Sequence, residues 1–394
     1  MISFDEALRR VLEIAVPLGT QSVPVAEAAS RVLAEPVVAR LSMPRDDVSA
    51  MDGYAVRGMD IGAVPFTLPV VGESAAGSAP GQELPPGAAF RIFTGAPVPA
   101  GADRVIVQEN VERDGDVAQF VRPFGPGRNI RTAGSDFREG EVLVPARQLL
   151  DWRALTAVAA ADQALLTVYR RPRVAILATG DELATPGEAR EVPGAIPESV
   201  SFGIASFVCK EGGEVLWSKR LPDDLTRLMP AAAEAIAEAD LVIVIGGASV
   251  GDRDHSRNIF GEPPDYIFPK VAIKPGKPVW LARIRGRLVM GLPGNPTSAL
   301  VTARLFLAPI LAGLGGRDAA GAVAFETWPL AAALPATGDR ETFIRARIGS
   351  EGAVPLVHQD SSSQASLLQA ELLLRLRPGS REMQAGEEVS ALRF

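Results

Sequence analysis

Leu241-Val242-Ile243-Val244-Ile245-Gly246-Gly247 decides the fold. Its five aliphatic residues show no alternation of apolar and polar, so both faces of the strand are expected to be buried. Such a strand belongs inside a parallel sheet covered by helices. Outward from it the same texture recurs. Val174-Ala175-Ile176-Leu177-Ala178-Thr179-Gly180 precedes it, and Leu288-Val289-Met290-Gly291-Leu292 follows. Between them, residues 199–210 and 223–238 have helical composition, and 214–221 (EVLWSKRL) reads as a further strand. Residues 278–292 read as two strands joined at Arg285-Gly286, and 296–314 as a helix. This alternation predicts a central, doubly wound, mostly parallel sheet domain over residues 172–316.

The flanks differ in texture. Residues 43–124 hold short apolar runs punctuated by Gly and Pro, the pattern of an inserted β domain. Residues 1–42 and 125–171 make a helical or mixed linking domain. There Ser3 and Glu6 form a capping-box pattern ahead of Leu8, Val11, Leu12 and Ala15. A short helix is expected over 26–34, stopped before Pro36, and another over 150–161. Residues 317–394 alternate apolar and polar and predict a C-terminal β domain, a small β-barrel or sandwich, with the barrel as the expected form. The expected fold class is multidomain α/β.

Charge and composition narrow the function. Hydrophobic residues are 47% and charged residues 22% of the chain, the balance of a globular protein. Net charge is −7, which speaks against nucleic acid as partner. No leader-like apolar segment opens the chain and no run is long enough to predict a membrane span. The single cysteine, Cys209, fits a reducing cytoplasm and is expected to be buried, beside Phe207 and Val208. The two histidines leave no material for a multi-histidine metal site. From Tyr266 to Arg317 there are eight Lys or Arg and no Asp or Glu, a landing zone for an anion or else a solvated basic face.

Ligands of open α/β sheets bind at the carboxyl ends of the strands. Three loops lie there: Thr179-Gly180-Asp181-Glu182-Leu183, Gly246 to Asp254, and Leu292-Pro293-Gly294-Asn295-Pro296. In the third, Gly294 permits close backbone approach, Asn295 is placed to cap, and Pro296 suits the first helical position. A helix start of this kind can hold an anion. Glu182, Asp252 and Asp254 are oxygen donors placed for a metal–phosphate site, with capping or salt-bridged carboxylates as the plain alternative. Lys270, Lys274 and Lys277, the last two about the Pro275-Gly276 turn, suit oxyanion contact. In the β insertion, residues 44–55 concentrate acids around Asp52, residues 91–99 carry Thr94, and Asp136 adds a further acid. The residues alone point to a phosphate-rich anionic ligand, a divalent cation and chemistry at a phosphoryl group.

SAMDGYA, RIFTGAPVPAGAD, GRNIRTAGSD, TGDEL, GGASVGDRD, AIKPGKP and LPGNP occur here in one order. In this order and spacing they resemble the molybdopterin molybdenumtransferase family, called MoeA in bacteria and the E domain of gephyrin in animals. The resemblance covers nearly the whole chain. It implies an enzyme that binds adenylylated molybdopterin and molybdate, cleaves the pyrophosphate with a divalent cation, Mg2+, and releases molybdenum cofactor and AMP. It implies a homodimer whose cleft joins the β insertion of one subunit to the α/β and C-terminal domains of the other. It also implies transient contact with the adenylylating enzyme and with molybdoenzyme acceptors. Position by position, Asp52, Glu182, Asp254 and Lys274 would be catalytic, with Glu182 and Asp254 on the metal. Thr94, Asp136, Asp223, Lys270, Pro293, Gly294, Asn295, Pro296, Arg345 and Ser361 would bind substrate. One position departs: the family's aspartate-serine-asparagine reads Glu198-Ser199-Val200 here, and Val200 has no polar side chain. The competing reading is a paralogue that carries molybdopterin or finished cofactor without inserting metal.

Overall fold

The structure, a computed structural model, describes residues 1–246 and 258–394. At its centre is a six-stranded sheet. Its strand order is Glu214–Leu221, Arg173–Thr179, Leu241–Ile245, Arg287–Leu292, Trp280–Ile284 and Asp265–Phe268. The first four strands run parallel, and the last two pairings are antiparallel because Trp280–Ile284 alone runs the opposite way. The turn between the hairpin strands puts both Arg285 (φ 49°) and Gly286 (φ 78°) in the left-handed region, as a two-residue I′ turn requires. Alternate residues of each strand face opposite layers. Ile176, Ile243 and Met290 pack against the helix Val200–Lys210 and the long helix at 296–314. Val242, Val244 and Val289 pack against the helix Leu225–Glu238.

Residues 296–314 run as Pro296–Thr302, a π-helical turn Ala303–Leu307, and Ala308–Leu314. By length and composition this segment could cross a membrane. Its apolar character instead serves the core, where Leu305, Phe306, Leu307, Ile310 and Leu311 are fully buried. The helix Phe4–Ile14 packs there too. It is capped as its sequence predicts, Ser3 Oγ accepting from Glu6 N at 3.2 Å. Phe4 lies 5.7 Å from the Phe306 ring and 5.1 Å from Phe343. Burying a side chain of this kind contributes about 1.5–3 kcal/mol. This helix, grouped by sequence with the linking domain, therefore belongs to the α/β core.

The β insertion is a six-stranded sheet in the order Arg104–Val107, Gly53–Val56, Ala89–Ile92, Phe66–Ser74, Val117–Phe120 and Val111–Asp114. The C-terminal strands Glu326–Pro329, Glu388–Arg393, Leu372–Leu376, Glu341–Gly349 and Gly352–Pro355 pair in that succession. A bridge from Leu330 to Ala353 returns the last to the first, which closes a small barrel. The strand Ile273–Lys274 adds to its edge, parallel to Glu341 and Thr342. Lys274 thus stands where the α/β layer meets the barrel.

The linking region is mixed. It holds the helix Trp152–Ala160 and two strand pairs, Thr20–Pro24 with Leu165–Tyr169 and Val37–Val38 with Val142–Val144. The helix expected over 26–34 is absent. A single 3-10 turn, Val25–Glu27, takes its place, Ser30 is left-handed at φ 58°, and Val32 and Leu33 bridge to Leu149 and Val168. Tertiary pairing overrides the local helical preference of this alanine-rich stretch. Cys209 is exposed, not buried. The buried face of its helix is Val200, Ser201, Ile204 and Val208, and Cys209 sits one step around from it.

Candidate functional site

The carboxyl ends of the parallel strands open onto a trough made of two adjoining clefts. One, of about 510 Å³, is lined by Glu182, Glu198, Asp223, Gly246 and Pro293 to Pro296. The other, of about 720 Å³, is lined by Lys274, Lys277, Ser298, Arg340, Asp360 and Ser361. Pro278 lines both, and the barrel loop passes from one at Ser361 to the other at Ser362. The trough is acidic at one end and basic at the other.

At the acidic end the strand Arg173–Thr179 stops at Gly180, and Glu182 follows, exposed. The Asp223 backbone N–H donates to Asp181 Oδ1 at 3.0 Å, which ties the two acid-bearing loops together. The Glu182 and Asp223 carboxylates have no cation within ion-pair distance among the described residues. Gly246 carries φ 91°, and a Cβ there would lie 2.4 Å from the Thr179 carbonyl oxygen. Glycine is what lets these two strand ends meet. Asp252 and Asp254 lie outside the described residues.

Asn295 departs from expectation. Its side chain makes no cap bond, and its Nδ2 donates to Ser361 Oγ at 3.3 Å. The helix start is also less free for an anion than its sequence suggests. Pro296 has no N–H, and the Thr297 N–H donates to the Ser361 carbonyl at 3.1 Å. Thr297 Oγ1 donates to the Ser363 carbonyl at 3.3 Å. These bonds stitch the barrel loop onto the α/β helix.

Arg345 is the loop's anchor. It is 1% exposed, lines neither cleft, and donates through Nη2 to the carbonyls of His358 (2.9 Å) and Asp360 (3.1 Å). Gln359 pairs with the Arg345 backbone in both directions, at 3.0 and 2.9 Å. Burial pulls the Arg345 pKa down, and Asp360 opposes it. The Ser362 hydroxyl and N–H hold the Asp360 carboxyl below the usual range. Arg345 thus positions Ser361 from beneath.

At the basic end Lys274 and Lys277 are exposed, with no acid in ion-pair range among the described residues. Arg340 faces only Asp339, at 4.0 Å. Ser298 and Arg340 are cleft residues without a sequence signal. An isolated serine and arginine acquire meaning only when the barrel folds against the α/β layer. Lys270 is half-buried and lines neither cleft; its carbonyl accepts from Ile2 N at 3.2 Å.

Val200 lines the acidic cleft yet is 7% exposed and packs into the main core. The hydrogen bonds at this helix start come from Glu198, whose carboxylate accepts from Ser201 N (2.8 Å) and Ser201 Oγ (2.5 Å). The acid two positions ahead therefore supplies the cap.

Asp52, Thr94 and Asp136 line neither cleft. In the β insertion, Asp52 Oδ1 accepts from Thr94 N (2.7 Å) and Thr94 Oγ1 (2.8 Å). These bonds, with Arg91 nearby, hold the Asp52 carboxyl below its ordinary pKa. Asp136 is exposed, and its N–H donates to the Met43 carbonyl.

Set against known proteins, residues 2–161 match the MoeA N-terminal region (domain I and II). Residues 175–313 match the family described as "Probable molybdopterin binding domain", and 327–394 the MoeA C-terminal region (domain IV). Fold and trough together thus define a multidomain α/β enzyme of the MoeA architecture. The chain is 35% identical to the molybdopterin molybdenumtransferase of Nostoc sp., over 95% of this chain and 89% of that one. It is 37% identical to that of Haemophilus influenzae, over 80% and 78%. A solved molybdopterin biosynthesis MoeA protein from Pyrococcus horikosii matches at TM-score 0.82 and 29% identity, covering 99% of this chain and 98% of that one. The chain belongs to the molybdopterin molybdenumtransferase family, and it is a transferase of molybdenum cofactor biosynthesis.

Proposed function

We propose that the chain is a cytoplasmic molybdenum insertase. It takes adenylylated molybdopterin and molybdate and releases molybdenum cofactor and AMP. The observation that carries this reading is the trough's charge order. Glu182 and Asp223 stand at one end, and at the other Lys274, Lys277 and Arg340 outnumber the Asp339 and Asp360 of that cleft. Neither the two first-named carboxylates nor the two lysines are ion-paired among the described residues, and Arg340 faces only Asp339. A pyrophosphate-linked ligand needs a cation against its phosphates, and an oxyanion such as molybdate needs protein cations.

Oxygen donors suit Mg2+. Glu182 offers one, Asp223 a second, and Asp254, outside the described residues, is the proposed third. When bound, the ion would neutralise charge that develops as the phosphoanhydride opens. Lys274 contacts the oxyanion, and Ser361 and Asn295 contact the ligand between the two ends. Arg345 keeps Ser361 in place. Lys270 flanks the ligand from the same α/β side as Lys274, while Thr94 presents Asp52, and Asp136 adds a further acid, from a second subunit's side of the cleft. The proposed partners are a second copy of the chain, the adenylylating enzyme and the molybdoenzymes that receive the product. Against the carrier reading, whose motive is Val200, stands a helix start that Glu198 caps without a polar side chain at position 200.

The test is AMP release from adenylylated molybdopterin with molybdate and Mg2+. Release should stop in excess chelator. Lys274→Ala should lower kcat/KM by on the order of 30-fold or more, since an unpaired charged contact is worth about 2–5 kcal/mol. Its melting temperature should hold, because Lys274 is exposed. Undiminished release by Lys274→Ala, or full activity in chelator, would overturn the reading.

A further inference from the structure

A second cavity, of about 590 Å³, lies at the opposite end of the α/β sheet. It sits at the amino ends of the strands Arg173–Thr179 and Glu214–Leu221, where the linking region meets the α/β layer. Its lining carries Arg31, Arg170, Arg171, Lys210 and Arg317. Two of these are compensated. Arg317 pairs with Glu211 at 3.0 Å, and Arg170 faces Asp240 at 3.8 Å.

The other three have no carboxylate in ion-pair range among the described residues. Arg31 is the most telling, at 8% exposed. Its Nη2 donates to the Tyr169 carbonyl at 2.9 Å, and with the Gln21 amide turned so that its oxygen faces the guanidinium, that oxygen accepts from both Nη atoms at 3.1 and 2.6 Å. Its Nε is buried without a partner, and so is that of Arg171. Burial, with Arg171 close by, pulls the Arg31 pKa down, and Glu214 only partly offsets this. Two neighbouring guanidiniums repel each other, and burial raises the cost of that repulsion. An anion in the cavity beside them relieves it, and phosphate oxygens match the guanidinium fork.

We propose that this cavity is a second binding site, separate from the trough, for a small phosphate-bearing anion held by Arg31, Arg171 and Lys210. Arg31 and Arg171 come from the linking region and Lys210 from the α/β layer. A bound anion therefore joins the two.

Cys209 lines the cavity and is the chain's single cysteine, so it reports occupancy without interference. The experiment measures the rate at which an uncharged maleimide labels Cys209 in the full chain, with inorganic pyrophosphate as probe. Labelling should slow saturably, roughly tenfold at ten times the dissociation constant, because only the free fraction reacts. Lys274→Ala, which alters the trough, should keep this protection. Arg171→Gln and Lys210→Gln, at partly and fully exposed positions, should each lose most of it. The proposal is overturned by unchanged labelling at millimolar pyrophosphate, or by equal protection from chloride at matched ionic strength. Protection that survives both neutralising variants, or that disappears in Lys274→Ala, overturns it as well.

Discussion

Asp52 immediately precedes the strand Gly53–Val56 of the β insertion, with its carboxylate engaged by Thr94. The Thr94 N–H is the larger cause of its lowered pKa and the hydroxyl the next. A depressed acid stabilises the fold above its unfolded pKa of about 3.9, and this is lost as pH falls through the lower folded value. The loop that presents Asp52 should thus stay ordered through mildly acidic pH and loosen only below the ordinary carboxylate range. Thr94→Val removes one donor and should move the Asp52 pKa part of the way back, followed by carbon-13 NMR of the carboxyl. No movement would show that the hydroxyl has no share in the effect. Lys274 is the opposite kind of residue, exposed and without an ion-pair partner among the described residues, which is why its loss is expected to touch binding and spare stability.

The helix Val200–Lys210 turns a single position into a structural question. Family likeness makes Val200→Asn a way to regain a ligand contact. Burial argues the reverse, since Val200 shares the core with Ile204 and Val208. An amide there lacks a hydrogen-bond partner and should cost about 1–3 kcal/mol. The melting temperature of Val200→Asn should fall, and turnover should not rise. A variant as stable as the parent and faster would show that the side chain reaches the ligand. The strands of this layer were legible because Val174 to Ala178 and Leu241 to Ile245 are continuous aliphatic runs that only a two-sided sheet can bury. The region 26–34 was not, since its alanine-rich composition says helix while Val32 and Leu33 bridge to residues over a hundred positions away. The same divide runs through the site. Glu182, Pro293 and Lys274 lie in short stretches at or beside strand ends whose composition marks them. The depth of Arg345 does not show in sequence, because its strand buries four consecutive residues, Phe343 to Ala346. The bond from Asn295 to Ser361 joins segments 66 residues apart, and no local pattern announces it.

Across the whole molecule, the acid-bearing segment around Asp52 and the lysine-bearing trough belong to separate sheets, and neither cleft includes Asp52 or Thr94. The proposed site, assembled from two copies of the chain, would account for both. Asp52→Ala and Lys274→Ala chains should each be inactive alone. Mixed and allowed to exchange, they should form heterodimers in which one cleft collects both lesions and the other none. About half of wild-type activity per heterodimer should return by this symmetry. Demonstrated exchange without recovered AMP release would place the whole site within one chain. The packing of the helix Phe4–Ile14 has a different consequence, which concerns the ribosome. Phe4 has its aromatic neighbours in Phe306, Phe325 and Phe343, and Arg375 lies over its ring at 4.7 Å while bonding to Asp5. Those partners are made about three hundred residues later, on the order of 15–60 s at usual translation rates. Through that interval the helix has an apolar face without those partners to cover it. The nascent chain should therefore offer that face to whatever shields hydrophobic surface at the ribosome, and this helix should dock late although it lies early in the sequence.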